Sequence, residues 1–300
     1  YCTNNKKEDY QFYKSITAWD ESSIYAHWRN RAKDQNFYSI FNFGVTHESN
    51  LWDPWYRHFD LDTFPPERGI GKWWEQFADI EKPLYTPDNI QISVPPYLPN
   101  SDIVKRDMKR MYSNIIEMDN KVGLILKQLE EDNLLESTIV VFYTDHGGPL
   151  PREKRLLYDS GIKVPMIIRY PNQLRAGEID DRLISFVDFA PTVLNISGSK
   201  IPDYIQGKAF IGKNLPKKRN FLITTSDRFD GQIDRVRAIQ NHDFKLIKNY
   251  NLNTSHNLDV KYRKNMPMMR GLNNLFEKNQ LNNEQELSLI HISEPTRLRH

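Results

Sequence analysis

A chain of 300 residues with 41 Lys and Arg against 39 Asp and Glu, a net charge of +2, is long enough to bury one substantial core with a smaller unit attached. So near a balance of charge excludes the basic footprint of a nucleic-acid binder or a membrane-surface protein, and no apolar run approaches the roughly 18 residues that span a bilayer. A single cysteine, Cys2, excludes an internal disulfide and a cysteine-built metal cluster from this chain.

The chain opens at Tyr1, inside a polar and aromatic stretch that is no signal peptide, and reads as a fragment of a longer protein. Residues 36–44, aromatic and β-branched and ending in Gly44, predict a buried strand with His47 at its exit. Residues 54–99 are rich in proline, tryptophan and charge with little periodicity, which predicts a long surface excursion rather than a separate domain. Ser101 then caps a predicted helix whose apolar positions Val104, Met108, Met111, Ile115, Met118, Val122, Ile125 and Leu129 recur in steps of four and three. Its methionines share the stripe of the aliphatics and so read as core filler, not as a metal or haem site.

Residues 138–144, Thr-Ile-Val-Val-Phe-Tyr-Thr, form a continuous apolar run of the kind found in a central strand covered on both faces. A second such strand is expected at 164–170. A helix follows at 188–196, with Pro191 in its early turn and Gly198 as its C-terminal cap. From Arg219 onward short strands at 221–225, 235–239 and 244–250 alternate with polar turns, which predicts a small antiparallel subdomain. Residues 287–297 resemble the translation of a sequencing-library adapter; the stretch 287–300 is set aside as a tail, and His291 and His300 carry no functional weight.

Helix, strand and polar tip in succession make an α/β protein, and ligands in open α/β sheets bind at the carboxyl ends of strands. The residues just past Thr144 are Asp145-His146-Gly147-Gly148: a carboxylate and an imidazole able to reach a cation, and glycines that let backbone and substrate approach. Alone, this triplet is a weak signal and reads by default as a loop carboxylate beside a solvated histidine. Its company raises it. Lys154 sits in Pro151-Arg-Glu-Lys-Arg-Leu-Leu-Tyr-Asp-Ser-Gly161, which leads into Val164-Pro-Met-Ile-Ile-Arg-Tyr-Pro171.

This combined stretch resembles the second signature of the sulfatase family. In order along the chain, Asn42-Phe-Gly-Val-Thr-His47, the helix from Tyr112 to Leu129, Phe186-Val-Asp-Phe-Ala-Pro-Thr192, and Arg235-Val-Arg-Ala with Phe244-Lys-Leu-Ile are similar to further family segments. The spacing from Asp145 to Lys154, with Gly-x-Pro-x-Pro between them, is most similar to the N-sulfoglucosamine sulfohydrolases, whose substrates are heparan-type glycans.

The resemblance implies an alkaline-phosphatase-like fold, a mixed central sheet flanked by helices, with residues 1–213 the C-terminal portion of the catalytic domain and 214–286 a small antiparallel subdomain. It implies that Asp145 and His146 complete a divalent-metal site, most simply Ca2+, and that Lys154 and His47 contact the sulfate of a sulfated carbohydrate. A metal with a nearby ammonium stabilises charge on sulfuryl oxygens, and a histidine can protonate the departing oxygen or nitrogen. Calcium prefers oxygen, so His146 would be a weak or outer partner. Arg152 and Arg155 read as surface contacts able to help hold an anionic glycan. An exported location, periplasmic or extracellular, is also implied.

Active sulfatases further need an early acidic pair and a Cys-x-Pro-Ser-Arg segment whose cysteine becomes formylglycine. Neither is present, and Cys2 lies in Tyr-Cys-Thr-Asn-Asn, so the nucleophile is expected outside these 300 residues. One rival is a phosphohydrolase or phosphodiesterase of the same superfamily; no aspartate here is followed four residues later by a histidine, which argues against its two-zinc chemistry. Another is a catalytically dead glycan-binding homologue that keeps the anion pocket.

Overall fold

The computed structural model describes residues 1–5, 7–52, 89–251, 260–290 and 296–299. Residues 54–88 of the predicted surface excursion, together with His291 and His300, lie outside the described residues. In chain order the elements are β1 (Cys2–Asn5), β2 (Glu21–Ser23), β3 (Tyr38–Phe41), α1 (Asp102–Glu131), β4 (Val140–Tyr143), α2 (Asp159–Ile162), β5 (Met166–Arg169) and α3 (Phe189–Ile196). They continue with β6 (Leu222–Phe229), β7 (Gln232–Gln240), β8 (Phe244–Asn249), α4 (Pro267–Glu277), α5 (Asn283–Ile290) and β9 (Thr296–Arg299). Two compact units emerge: Tyr1–Thr138 with Lys261–Gln285, and Ile139–Val260 with Glu286–His300.

In the first unit β1 is the middle strand of a parallel sheet ordered β2-β1-β3. Its buried residues are polar, and each finds a partner: Thr3 Oγ1 donates to Ser39 Oγ at 2.8 Å, Asn4 Nδ2 to Lys7 O at 2.6 Å, and Asn5 Nδ2 to Ile24 O at 3.0 Å. Paired in this way, the amides avoid the penalty of unmade hydrogen bonds.

The helix predicted after Pro99 is α1, 30 residues long, with Ser101 at its N-cap position but no hydrogen bond from the Ser101 side chain to the cap. Its buried face differs from the expected one. Val104, Met108, Ile125 and Leu129 are buried, whereas Ile115 is 38 % exposed and the centre of the face is taken by Asp107, Ser113, Asn114, Glu117, Lys121 and Gln128. Polar residues sit there because they are matched: Glu117 pairs with Lys121 at 3.6 Å, and Asp107 Oδ2 accepts the Met268 N–H of α4 at 2.6 Å. Gln128 Oε1 lies 3.0 Å from His27 Nε2. The apolar stripe that sets the periodicity is one flank of the buried surface, not its centre.

In the second unit β4 and β5 pair antiparallel, Val140 opposite Arg169 and Tyr143 opposite Met166. The continuous apolar run predicts a strand covered on both faces; among the described residues β4 instead has one neighbour, and Val141 and Tyr143 are 38 % and 37 % exposed. A two-stranded ribbon covers one side of its pleat more than the other. The predicted short strands appear as the antiparallel sheet β6-β7-β8-β9, with β9 supplied by residues 296–299. The α/β class and the C-terminal antiparallel sheet are therefore as the sequence predicts.

The 188–196 prediction becomes α3 preceded by a 3-10 turn, Phe186–Asp188. Buried Asp188 organises this region: its carboxylate accepts from Ser185 N–H at 2.9 Å and Lys208 N–H at 2.7 Å and is gripped by both terminal nitrogens of Arg219. Gly198 closes the helix at φ +73°, a left-handed turn that suits glycine.

Candidate active site

Asp145 and His146 follow directly on β4, as the sequence predicts. The loop that carries them on to Lys154 is cross-linked by its own backbone. Gly147 N–H donates to Gly161 O at 2.9 Å, and Lys154 N–H donates to Gly148 O at 2.9 Å. Gly147 is required by close approach, since a Cβ there would lie 1.7 Å from Ser160 O. Glu153, which the sequence offers only as one charge in Arg-Glu-Lys-Arg, turns inward: its Oε2 accepts the Leu150 N–H at 2.9 Å and its carboxylate lies against Gly148.

His146 Nδ1 lies 2.7 Å from Gly147 O. A carbonyl only accepts, so Nδ1 carries the proton and the lone pair is left on Nε2, 3.6 Å from Asp145 Oδ1. The two donor atoms thus stand side by side on a tip where the Asp145 side chain is 71 % exposed. Metal-bound histidines generally donate their other ring N–H to an acceptor of this kind. Carboxylate oxygen and imidazole nitrogen fit one half of a divalent-cation site, with Asp145 the better ligand for a hard cation. Among the described residues no group of three or more His, Cys, Asp or Glu side chains gathers as a complete metal cluster.

Tyr143, the last residue of β4, stacks edge-on against Phe189 at 4.9 Å, and its phenol is pushed up, first by burial and then by the negative charge of Asp145. Of the two expected surface arginines, Arg155 pairs with Asp230 at 3.0 Å, and Arg152 lies over the Tyr158 ring at 4.7 Å. Both adopt left-handed backbone conformations, φ +68° at Arg152 and +79° at Arg155, on either side of Lys154.

His47 belongs to the first unit. It sits between the 3-10 turns Gly44–Thr46 and Glu48–Leu51, capping the second. Ser49 N–H donates to its Nδ1 at 3.4 Å and Ser49 Oγ lies 2.9 Å from the same nitrogen, so the neutral ring carries its proton on Nε2. Tyr262 stands edge-on to the imidazole at 6.2 Å.

Asp145, His146 and Lys154 thus share one loop tied by its own backbone, and the neutral His47 ring carries its proton on Nε2. Against known proteins, residues 2–199 match the sulfatase family. The chain belongs to the sulfatase family. Residues 152–291 further match the N-sulphoglucosamine sulphohydrolase C-terminal region.

Among curated sulfatases, the chain is 50 % identical over 294 residues to an ulvan-active sulfatase of Formosa agariphila, covering 95 % of this chain and 49 % of that protein. It is 26 % identical to human N-sulphoglucosamine sulphohydrolase over 238 residues, 75 % of this chain and 46 % of that one. An N-acetylglucosamine-6-O-sulfatase of Bacteroides thetaiotaomicron is 31 % identical over 48 % of this chain and 28 % of its own length. The chain spans about half the length of the Formosa agariphila and human relatives. No helix among the described residues is long and apolar enough to cross a membrane.

Proposed function

We propose that the whole protein is a sulfatase that hydrolyses sulfate esters or sulfamates on a sulfated polysaccharide. The observation that carries this reading is the loop from Asp145 to Lys154, which carries an adjacent carboxylate and imidazole and a lysine on one backbone-locked segment in a sulfatase-family chain.

In the proposed roles the Lys154 ammonium holds a sulfuryl oxygen and offsets the charge that builds on it during bond breaking. His47 gives its Nε2 proton to the departing oxygen or nitrogen. Asp145, with His146 as the weaker partner, holds a divalent cation, most simply Ca2+. Such a cation supplies Lewis-acid stabilisation of the anionic oxygens when bound. The formylglycine nucleophile is expected outside these 300 residues, and the 300-residue chain by itself is proposed to be inert. The division at 213/214, the tail at 287–300 and an exported location belong to the same proposal.

The relative at 50 % identity, an ulvan-active sulfatase, supports an ulvan-type substrate. Heparan-type glycans are the second reading, supported by the match to the N-sulphoglucosamine sulphohydrolase C-terminal region. The test is sulfate release by the whole protein from ulvan oligosaccharides and from N-sulfated heparan fragments. Release should fall by about 100-fold or more in Asp145→Asn and in Lys154→Met. Release from neither substrate, or a fully active Asp145→Asn variant, would overturn the proposal. Binding of ulvan without turnover would instead mark a glycan-binding homologue.

A further inference from the structure

Lys245 is the second residue of β8, its side chain fully buried, a location where an ammonium persists only if its lost hydration is replaced. Its Nζ pairs with the carboxylate of Asp159 and donates to Leu157 O at 3.4 Å. Both partners lie in the turn that closes the signature loop. The apolar atoms around this pair are also shared: Leu157 packs with Val236, Ala238 and Ile247 of the antiparallel sheet, with Tyr158 and Ile162 against them.

From Asp159 the connection runs back to the candidate site through four backbone hydrogen bonds. Gly161 N–H donates to Tyr158 O at 2.9 Å and Lys163 N–H to Asp159 O at 2.8 Å, which fixes the short helix α2. Gly161 O receives Gly147 N–H, and Gly148 O receives Lys154 N–H. A second, weaker clamp from the same sheet is Arg155 on Asp230.

We infer that Lys245 is a positioning residue: by holding Asp159 and Leu157 it fixes the α2 turn, and through Gly161 and Gly147 it sets where Asp145, His146 and Lys154 stand. The inference rests on the reading of that loop as the sulfate site, and it gives the C-terminal sheet a part in catalysis without contact with substrate. A buried lysine placed only for stability would alter unfolding but not the loop selectively.

The test uses the whole protein and the variants Lys245→Met, Asp159→Asn and their double. Asp159→Asn takes the carboxylate from the fully buried Lys245 ammonium, so Lys245→Met, which puts an apolar side chain in that buried place, serves where Asp159→Asn does not fold. Amide exchange of the segment carrying Gly147 and Lys154 should quicken by about tenfold in either single variant while exchange in the β6–β7 hairpin stays unchanged. Sulfate release should show kcat down by about tenfold or more with KM within about threefold, and the double variant should lose no more than the worse single one.

Unchanged exchange at Gly147 and Lys154 in a folded variant would overturn the inference, as would quickened exchange with unchanged kcat. If the wild-type protein releases no sulfate from any substrate, the sulfatase reading fails on its own, and the exchange result still decides whether Lys245 braces the loop.

Discussion

His27 Nε2 lies 3.0 Å from Gln128 Oε1, 101 residues further along the chain, and both residues are sealed from solvent. Trp28, Arg29 and Asp132 close the same seam, with Trp28 Nε1 and Arg29 Nε each 2.7 Å from Asp132 Oδ2. Burial depresses the imidazole to about 4 from 6.5, more than Gln128 raises it.

A folded-state value below the unfolded one means that the native protein resists the proton. Stability is then complete above about pH 6.5 and is lost as pH falls through about 4, a difference on the order of 3 kcal/mol. Denaturant titrations at pH 7, 5 and 4 should show this decline in the wild type and a shallower one in His27→Gln. Equal slopes would remove His27 from the acid response.

Glu117 and Lys121 are both nearly buried on α1 and 3.6 Å apart. Replacing Glu117 alone by Met takes a carboxylate from beside a buried ammonium and should cost roughly 3–5 kcal/mol; replacing both by Met should cost much less, because a well-packed apolar pair is close to isoenergetic with a buried ion pair. A double-mutant cycle in urea checks this. Additive losses would contradict it.

Asp188 accepts four hydrogen bonds, two of them from the bidentate guanidinium of Arg219. Asp188→Asn removes the charge opposite Arg219 and should lower stability by roughly 3–5 kcal/mol. The same variant should leave exchange in β1–β3, in the other unit, unaffected.

Gly147 and Gly148 are adjacent but should respond unequally to alanine. At Gly147 the new methyl meets the Ser160 backbone carbonyl at 1.7 Å, and at Gly148 it meets the Glu153 carboxylate at 2.1 Å. Backbone cannot swing away and the end of a glutamate can. Gly147→Ala should cost roughly 3 kcal/mol or more and Gly148→Ala about 1 kcal/mol, measured by thermal unfolding. Equal costs would mean the loop is less tightly held than described.

The parts of the fold that follow local rules were legible. The apolar run before Thr144, the Gly198 cap and the alternation after Arg219 each depend on neighbours in sequence. Contacts made across long stretches were not. Periodicity placed the buried face of α1 on its methionines and aliphatics, because the partners of Asp107 and Gln128 are Met268 and His27, far along the chain.

Lys245, too, reads as one more residue of a strand, and nothing in Phe-Lys-Leu-Ile marks its tie to Asp159. Asp145, His146 and Lys154 are candidates because a motif marks them, whereas Glu153 is hidden in a run of charges that usually faces water.

The most direct test of the account is a crystal structure of the whole protein with a sulfated oligosaccharide bound. The account predicts Lys154 Nζ and His47 Nε2 each within about 3.2 Å of oxygens of one sulfate group or its bridging atom, with Asp145 on the cation beside it. A sulfate held by other residues, with the ammonium of Lys154 and the imidazole of His47 facing different solvent regions, would contradict it.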